Sequence, residues 1–222
     1  MTGDSAAAPR LHIAFHLDVV CPWCWIGARN LRTAILDLHK LLPTVAIRLA
    51  WHAEPLLPQI PDQGVDFQAF YLARLGSAEA VAARRAQVNA IARTVGLQID
   101  FDAITTFPNS RGACELINSA QARLTTDQMF GLVESLYVAF FVQNLNIGRP
   151  DVLRQLAQAA GGPTDLAPWS APLHPAHAPV NGVPQFVFNS QQALTGAVPA
   201  TDLLQAMARA VAATPRGVAN GS

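Results

Sequence analysis

Between Leu11 and Trp51 the hydrophobic pattern changes from a strand period to a helix period and back, and few folds accept that order. Leu11, Ile13, Phe15, Leu17 and Val19 alternate with His12, Ala14, His16 and Asp18, so one face of an extended segment is apolar. From Trp23 onward Ala28, Leu31, Ile35, Leu38 and Leu42 recur at helical spacing, and Pro43 closes that helix. Val45, Ile47, Leu49 and Trp51 then alternate again. Two strands joined by short connections through a helix run parallel, because an antiparallel pair would need only a hairpin. The pattern predicts an opening βαβ unit.

A mostly helical stretch follows, over roughly residues 65 to 160. Ser77 is placed to cap a helix whose stripe is Val81, Val88, Ile91 and Val95, and Gly96 stops it. Ala113, Leu116, Ile117 and Ala120 predict a second helix. Thr126 opens a third, with Met129, Val133, Leu136 and Phe140 on one face. Pro150 and Asp151 suit the first turn of a fourth, ending at Gly161. The segment "GGPTDLAPWSAPLHPAHAPVN" holds five prolines and cannot form a regular helix. Beyond it "QFVFN" reads as a strand, "ALTG" as its hairpin partner, and Leu203, Met207 and Val211 mark a final helix from near Pro199. The order βαβ, helices, ββα is that of an α/β thioredoxin-like fold with a large helical insertion between the two halves. The 222 residues then divide into a thioredoxin-like domain (11–60 and 180–214), a helical insertion domain (61–160) and a Pro-rich connector (161–179).

At the first strand-to-helix joint stands "CPWC", with Cys21 and Cys24 two residues apart. Metal sites, structural disulfides and redox enzymes all use that spacing. A disulfide scaffold needs more cysteines than Cys21, Cys24 and Cys114. The amino-terminal run has no basic segment followed by an apolar one, and no apolar run is long enough to span a bilayer. These features point to the cytosol, where structural thiols stay reduced. A metal would need further ligands. His174 and His177 are the candidates, but they lie about 150 residues away at a spacing unlike a zinc finger's, so no metal is expected. A redox pair remains. Basic and acidic residues balance at fifteen each, which leaves no electrostatic footprint for nucleic acid or an anionic membrane.

The corner also assigns roles to the two sulfurs. At a helix start the first N–H groups are unpaired and the dipole is positive, so a thiolate of Cys21 is stabilised there. Cys24 lies one turn further in and should be less exposed, which makes Cys21 the attacking sulfur and Cys24 the resolving one. Pro22 fixes a backbone angle between them, and Trp23 brings no charge.

"DVVCPWCWIGARNL", "ITTFPNSRGACELI", "GVPQFVFN" and "ALTGAVPATDLLQAM" together resemble the DsbA-like thiol–disulfide oxidoreductases of the FrnE type, over about Leu11 to Met207. That family neighbours the 2-hydroxychromene-2-carboxylate isomerases and kappa-class glutathione transferases. The resemblance implies that Cys21 is the nucleophile, that Cys24 resolves, and that Pro184 is a cis-proline facing them. In that arrangement the Val183 backbone pairs with an extended substrate. It also makes Asn109 a candidate polar group lining the cleft. The chain departs from the pattern at Gln185, where Thr is expected, at Cys114, where relatives often carry His, and in its Pro-rich stretch.

Cys114, beside Leu116 and Ile117, reads as a buried small hydrophobe, or more sharply as an auxiliary thiol near the site. Trp23 and Trp25 flank the thiols as apolar contacts for a substrate or as packing. His52 and Glu54 read as surface residues. The expected activity is disulfide exchange with a protein or small-molecule thiol or disulfide, through a mixed disulfide. The competing class is a glutathione-dependent isomerase or transferase, but those relatives usually carry Ser at the position of Cys21. No cofactor is expected beyond glutathione as a candidate co-substrate.

Overall fold

The structure, a computed structural model, describes residues 10–162 and 182–213. Strand β1 (Arg10–Leu17) feeds helix α1 (Pro22–Leu41), which returns the chain to β2 (Ala46–Ala53). β1 and β2 are parallel, with Arg10 opposite Ala46 and Leu17 opposite Ala53, as the two changes of period require. After the helical segment, β5 (Gln185–Phe188) and β6 (Gln192–Thr195) form a hairpin, and α7 (Ala200–Ala213) packs on α1 and the sheet. The strand order is β2-β1-β5-β6. β5 runs antiparallel to β1, with Gln185 opposite His16. Three residues join β5 to β6; Asn189 and Ser190 have positive φ and Gln191 N–H donates to the Phe188 carbonyl at 3.0 Å, a turn whose twist matches that of the flanking strands.

Between the halves lie β3 (Val65–Asp66), α2 (Phe67–Leu75), α3 (Ala78–Arg93), β4 (Thr106–Phe107), α4 (Arg111–Ala120), α5 (Thr126–Phe141) and α6 (Pro150–Ala159). Local sequence explains most of these boundaries. Ser77 accepts from Ala80 N–H, and Thr125 with Gln128 forms a reciprocal capping box. The alternation in β1 buries Leu11, Ile13, Phe15 and Leu17 completely or nearly so. Phe15 stacks on Phe186 at 4.8 Å and packs on Trp51 at 5.5 Å, tying β2, β1 and β5 together across one face. The outer edge of β2 is closed by side chains. The carboxamides of Asn118 and Gln121, on and just beyond α4, each accept from and donate to its backbone at Ala53 and Trp51.

Three readings of the sequence change. The helical stretch is interrupted: residues 97–110 are not helical, and Val65 and Asp66 pair with Phe107 and Thr106 in a separate two-stranded sheet. A pairing so short leaves no periodicity to read; it brackets α2 and α3, which the left-handed Gly76 and the N-cap Ser77 set apart. Ile91 is 40% exposed, because the buried face of α3 runs through Val81, Val88 and Ala92. Leu42 is also exposed, since α1 ends one residue earlier and Leu42 leaves the helical path as its C-cap. From residue 163 to 181 the Pro-rich connector, with His174 and His177, lies outside the described residues.

Candidate active site

β1 ends at Leu17, and the chain turns through Asp18 to Val20 before α1 begins. Cys21 closes this turn by donating its N–H to the Asp18 carbonyl at 3.1 Å. It is the N-cap of α1, in extended conformation, with Pro22 in the first helical turn and no side chain capping the first N–H groups. The Cys21 carbonyl accepts from Cys24 N–H at 3.0 Å, so the pair spans one tight turn of backbone. Cys21 is 8% exposed and Cys24 is sealed. Burial, and then the hydrogen bond and charge of Cys21, push the Cys24 thiol well above its ordinary range. Cys24 therefore keeps its proton and donates it toward the Cys21 sulfur. All three cysteines are free thiols.

Behind the pair lies a group that the pattern of alternation concealed. Asp18 takes a polar place in the strand reading, yet it is fully buried. Because β1 stops one residue earlier, its side chain leaves the pleat and turns inward. Its carboxylate accepts from Leu56 N–H at 2.7 Å, Ser110 Oγ at 3.2 Å, Val20 N–H at 3.3 Å and the Cys114 thiol at 3.7 Å. Burial raises the Asp18 carboxyl above its usual range, and these donors oppose the rise. Tyr137 Oη donates to the Asp18 carbonyl at 3.3 Å, and burial followed by the charges of Cys24 and Cys21 drives that phenol well up. The signal available in the sequence was the company of Asp18: a carboxylate between "HL" and "VV", three residues before the Cys-x-x-Cys pair.

On its other side the corner opens on a cavity of about 640 Å³. Cys21, Pro22 and Trp23 form one wall. Leu56 and Leu57, residues of α2 and α3, and the rings of Phe101 and Phe107 form the rest. The helical insertion thus supplies most of the lining. Tyr71 lies here, and its phenol is pushed up to about 12 by burial and then by the Cys21 charge.

The remaining candidates fall in several places. The Val183–Pro184 peptide is cis, directly ahead of β5 and so at the same end of the sheet as the Asp18–Cys21 turn. The Pro184 ring and Phe186 press on α1 at Gly27, where an added Cβ would lie 3.2 Å and 3.1 Å from them. Asn109 is buried and does not line the cavity; its carboxamide donates to the Ile60 carbonyl and accepts from Arg111 N–H. Cys114 is sealed on α4 beside Asp18, where burial and then the Asp18 charge push its thiol well up. Trp25 is packing: it stacks on Tyr137 and Phe141, and its Nε1 donates to Glu134 at 2.8 Å. Among the described residues no three His, Cys, Asp or Glu side chains converge as metal ligands, and no helix is long and apolar enough to cross a membrane.

Residues 12–167 match the family described as the DSBA-like thioredoxin domain. No curated protein matches the chain at a significant level. Among solved structures, a probable DsbA oxidoreductase from Streptomyces coelicolor shares 20% identity at a TM-score of 0.77, covering 94% of this chain and 93% of that one. A 2-hydroxychromene-2-carboxylate isomerase shares 13% identity at a TM-score of 0.54, covering 89% and 95% of the two chains. At these identities the likeness to both is one of fold.

Proposed function

The chain belongs to the DsbA-like thioredoxin domain family, and from that premise we propose that it is a thiol–disulfide oxidoreductase working through Cys21 and Cys24. The observation that carries this reading is the unequal placing of the two thiols: one caps a helix at a cavity wall, the other is sealed and hydrogen-bonded to it. In the reducing direction the Cys21 thiolate attacks a substrate disulfide, forms a mixed disulfide and expels one substrate thiolate. Cys24 then gives up its proton and attacks the Cys21 sulfur, which forms the Cys21–Cys24 disulfide and frees the second substrate thiolate. The protein loses two electrons and two protons, and the substrate disulfide becomes two thiols. Asp18, whose charge reaches Cys24, is the buried group suited to receive the Cys24 proton. The Val183 backbone, ahead of Pro184, is the edge we assign to an extended substrate. Asn109 holds the loop behind the cavity, and Cys114 serves as a hydrogen-bond donor to Asp18 rather than as a third redox thiol. We place the enzyme in the cytosol.

Equilibrating the protein against glutathione redox buffers, with the products read by mass spectrometry, tests the assignment. A reversible Cys21–Cys24 disulfide is the expected product, and pairing of Cys21 with Cys114 instead would refute the division of roles between the sulfurs. Cys24→Ser separates this activity from glutathione-dependent isomerisation. It should stop catalytic insulin reduction and trap a mixed disulfide on Cys21, whereas undiminished insulin turnover would favour a site in which glutathione supplies the thiol.

A further inference from the structure

The cavity beside Cys21 carries a charge that the rest of the chain does not share. The protein as a whole is neutral, yet Arg74, Arg84 and Arg85 line the cavity and neither Asp nor Glu does. Arg85 is committed: it pairs with Asp102 and Gln68, and its guanidinium lies 5.8 Å from both the Phe67 and Phe101 rings. Arg74 is steered by Phe70, 6.0 Å below its guanidinium, and neither it nor Arg84 has a hydrogen bond or ion pair among the described residues. The same lining holds the rings of Phe70, Tyr71 and Phe107. The Tyr71 hydroxyl has no hydrogen-bond partner among the described residues, and it feels the charges of Cys21 and of all three arginines. At about 640 Å³ the space matches a small ligand rather than a folded partner.

We propose that this cavity binds low-molecular-weight disulfides that carry a carboxylate on an apolar, ring-sized body, with the carboxylate on Arg74 and Arg84 and the body against Phe70, Tyr71 and Phe107. The assignment rests on Cys21 being the attacking thiol. The bound disulfide, RSSR, is cleaved by the same two steps: RS–S–Cys21 forms as one RS⁻ leaves, then Cys24 closes the protein disulfide and the second RS⁻ leaves. The two thiol protons of the protein end on the two RS⁻ groups or in solvent. Arginine is suited to this task because its planar fork matches a carboxylate and its face tolerates an aromatic neighbour.

The test uses the reduced full-length protein and two aryl disulfides, anionic dithiobis(nitrobenzoate) and neutral dithiodipyridine, with glutathione disulfide as an anionic probe lacking a ring. In Arg74→Gln/Arg84→Gln the rate with dithiobis(nitrobenzoate) should fall about tenfold while that with dithiodipyridine changes by less than about twofold. The wild type should also favour dithiobis(nitrobenzoate) over glutathione disulfide more strongly than free cysteine does. Arg93→Gln/Arg154→Gln, on α3 and α6 and outside the cavity, also removes two charges and should leave both rates near wild type. Equal losses with both aryl probes, or an equal loss in Arg93→Gln/Arg154→Gln, would overturn the cavity assignment while leaving the redox reading intact. Failure of Cys21 to react with any of the three disulfides would overturn both.

Discussion

On one side of the β1–α1 turn, Cys21 borders a cavity walled by aromatic rings and rimmed by arginines. On the other side, Cys24 and Cys114 are sealed around Asp18, Ser110 and Tyr137. The same chemical group occurs on both sides, and the surroundings divide the work. Cys21 stands at a helix start in the wall of a cavity, where a disulfide can approach its sulfur. The inner thiols face burial and a carboxylate, both of which hold protons on sulfur. Two thiols three residues apart are thus made unequal by a turn of backbone.

The sharpest way to break the comparison is to ask which sulfur reacts. Iodoacetamide at neutral pH should place one adduct on Cys21, with Cys24 and Cys114 slower by about a hundredfold or more. Modification of Cys114 at a comparable rate, mapped by peptide mass spectrometry on folded protein, would erase the distinction between the two sides.

Gly27 probes the contact that sets Pro184 against α1. Alanine there gains about 1 kcal/mol of helix propensity but crowds the Pro184 and Phe186 rings, and overpacking costs about 1–3 kcal/mol. Because a pyrrolidine ring and a stacked phenylalanine cannot swing aside, the crowding should win. Gly27→Ala should unfold at lower urea concentration and exchange with protein disulfides more slowly, while alkylation of Cys21 stays close to wild type. A more stable variant with normal exchange would mean that Pro184 has room to retreat.

The smallest effect concerns the inner side alone. Burial raises the Asp18 carboxyl above its ordinary 3.8, so through the interval up to its raised native value the folded chain holds a proton that the unfolded chain has lost. Folding stability must fall as pH rises through that interval, and the loss is complete once pH exceeds the native value. Urea unfolding across the acid-to-neutral range should therefore show wild type losing stability, relative to Asp18→Asn, as pH increases. A difference between the two proteins that does not vary with pH would mean that water reaches the Asp18 carboxylate.

Much of this architecture is local and therefore readable. The βαβ opening follows from alternation that buries Leu11, Ile13, Phe15 and Leu17, and from the helical stripe through Ala28, Leu31, Ile35 and Leu38. Ser77, Gly96, Pro150 and Gly161 mark helix ends because capping and left-handed turns depend on neighbours within a few residues. Cys21 is legible for the same reason, since a strand period giving way to a helix period places it at the joint.

What residues far apart in the chain build together was beyond that reading. Asp18 looks like the polar half of an alternation, and only the partners brought by Leu56, Ser110, Cys114 and Tyr137 show it as a buried carboxylate. Arg74 and Arg84 look like the solvated faces of two amphipathic helices until those helices are set over the cysteine corner. The sequence by itself determined the βαβ and ββα elements, most of the helices between them, their order and the pair of sulfurs, because each is encoded in contacts along a few turns of chain. The tertiary structure alone decided the unequal surroundings of those sulfurs, because burial and charge at a point are sums over every segment that reaches it.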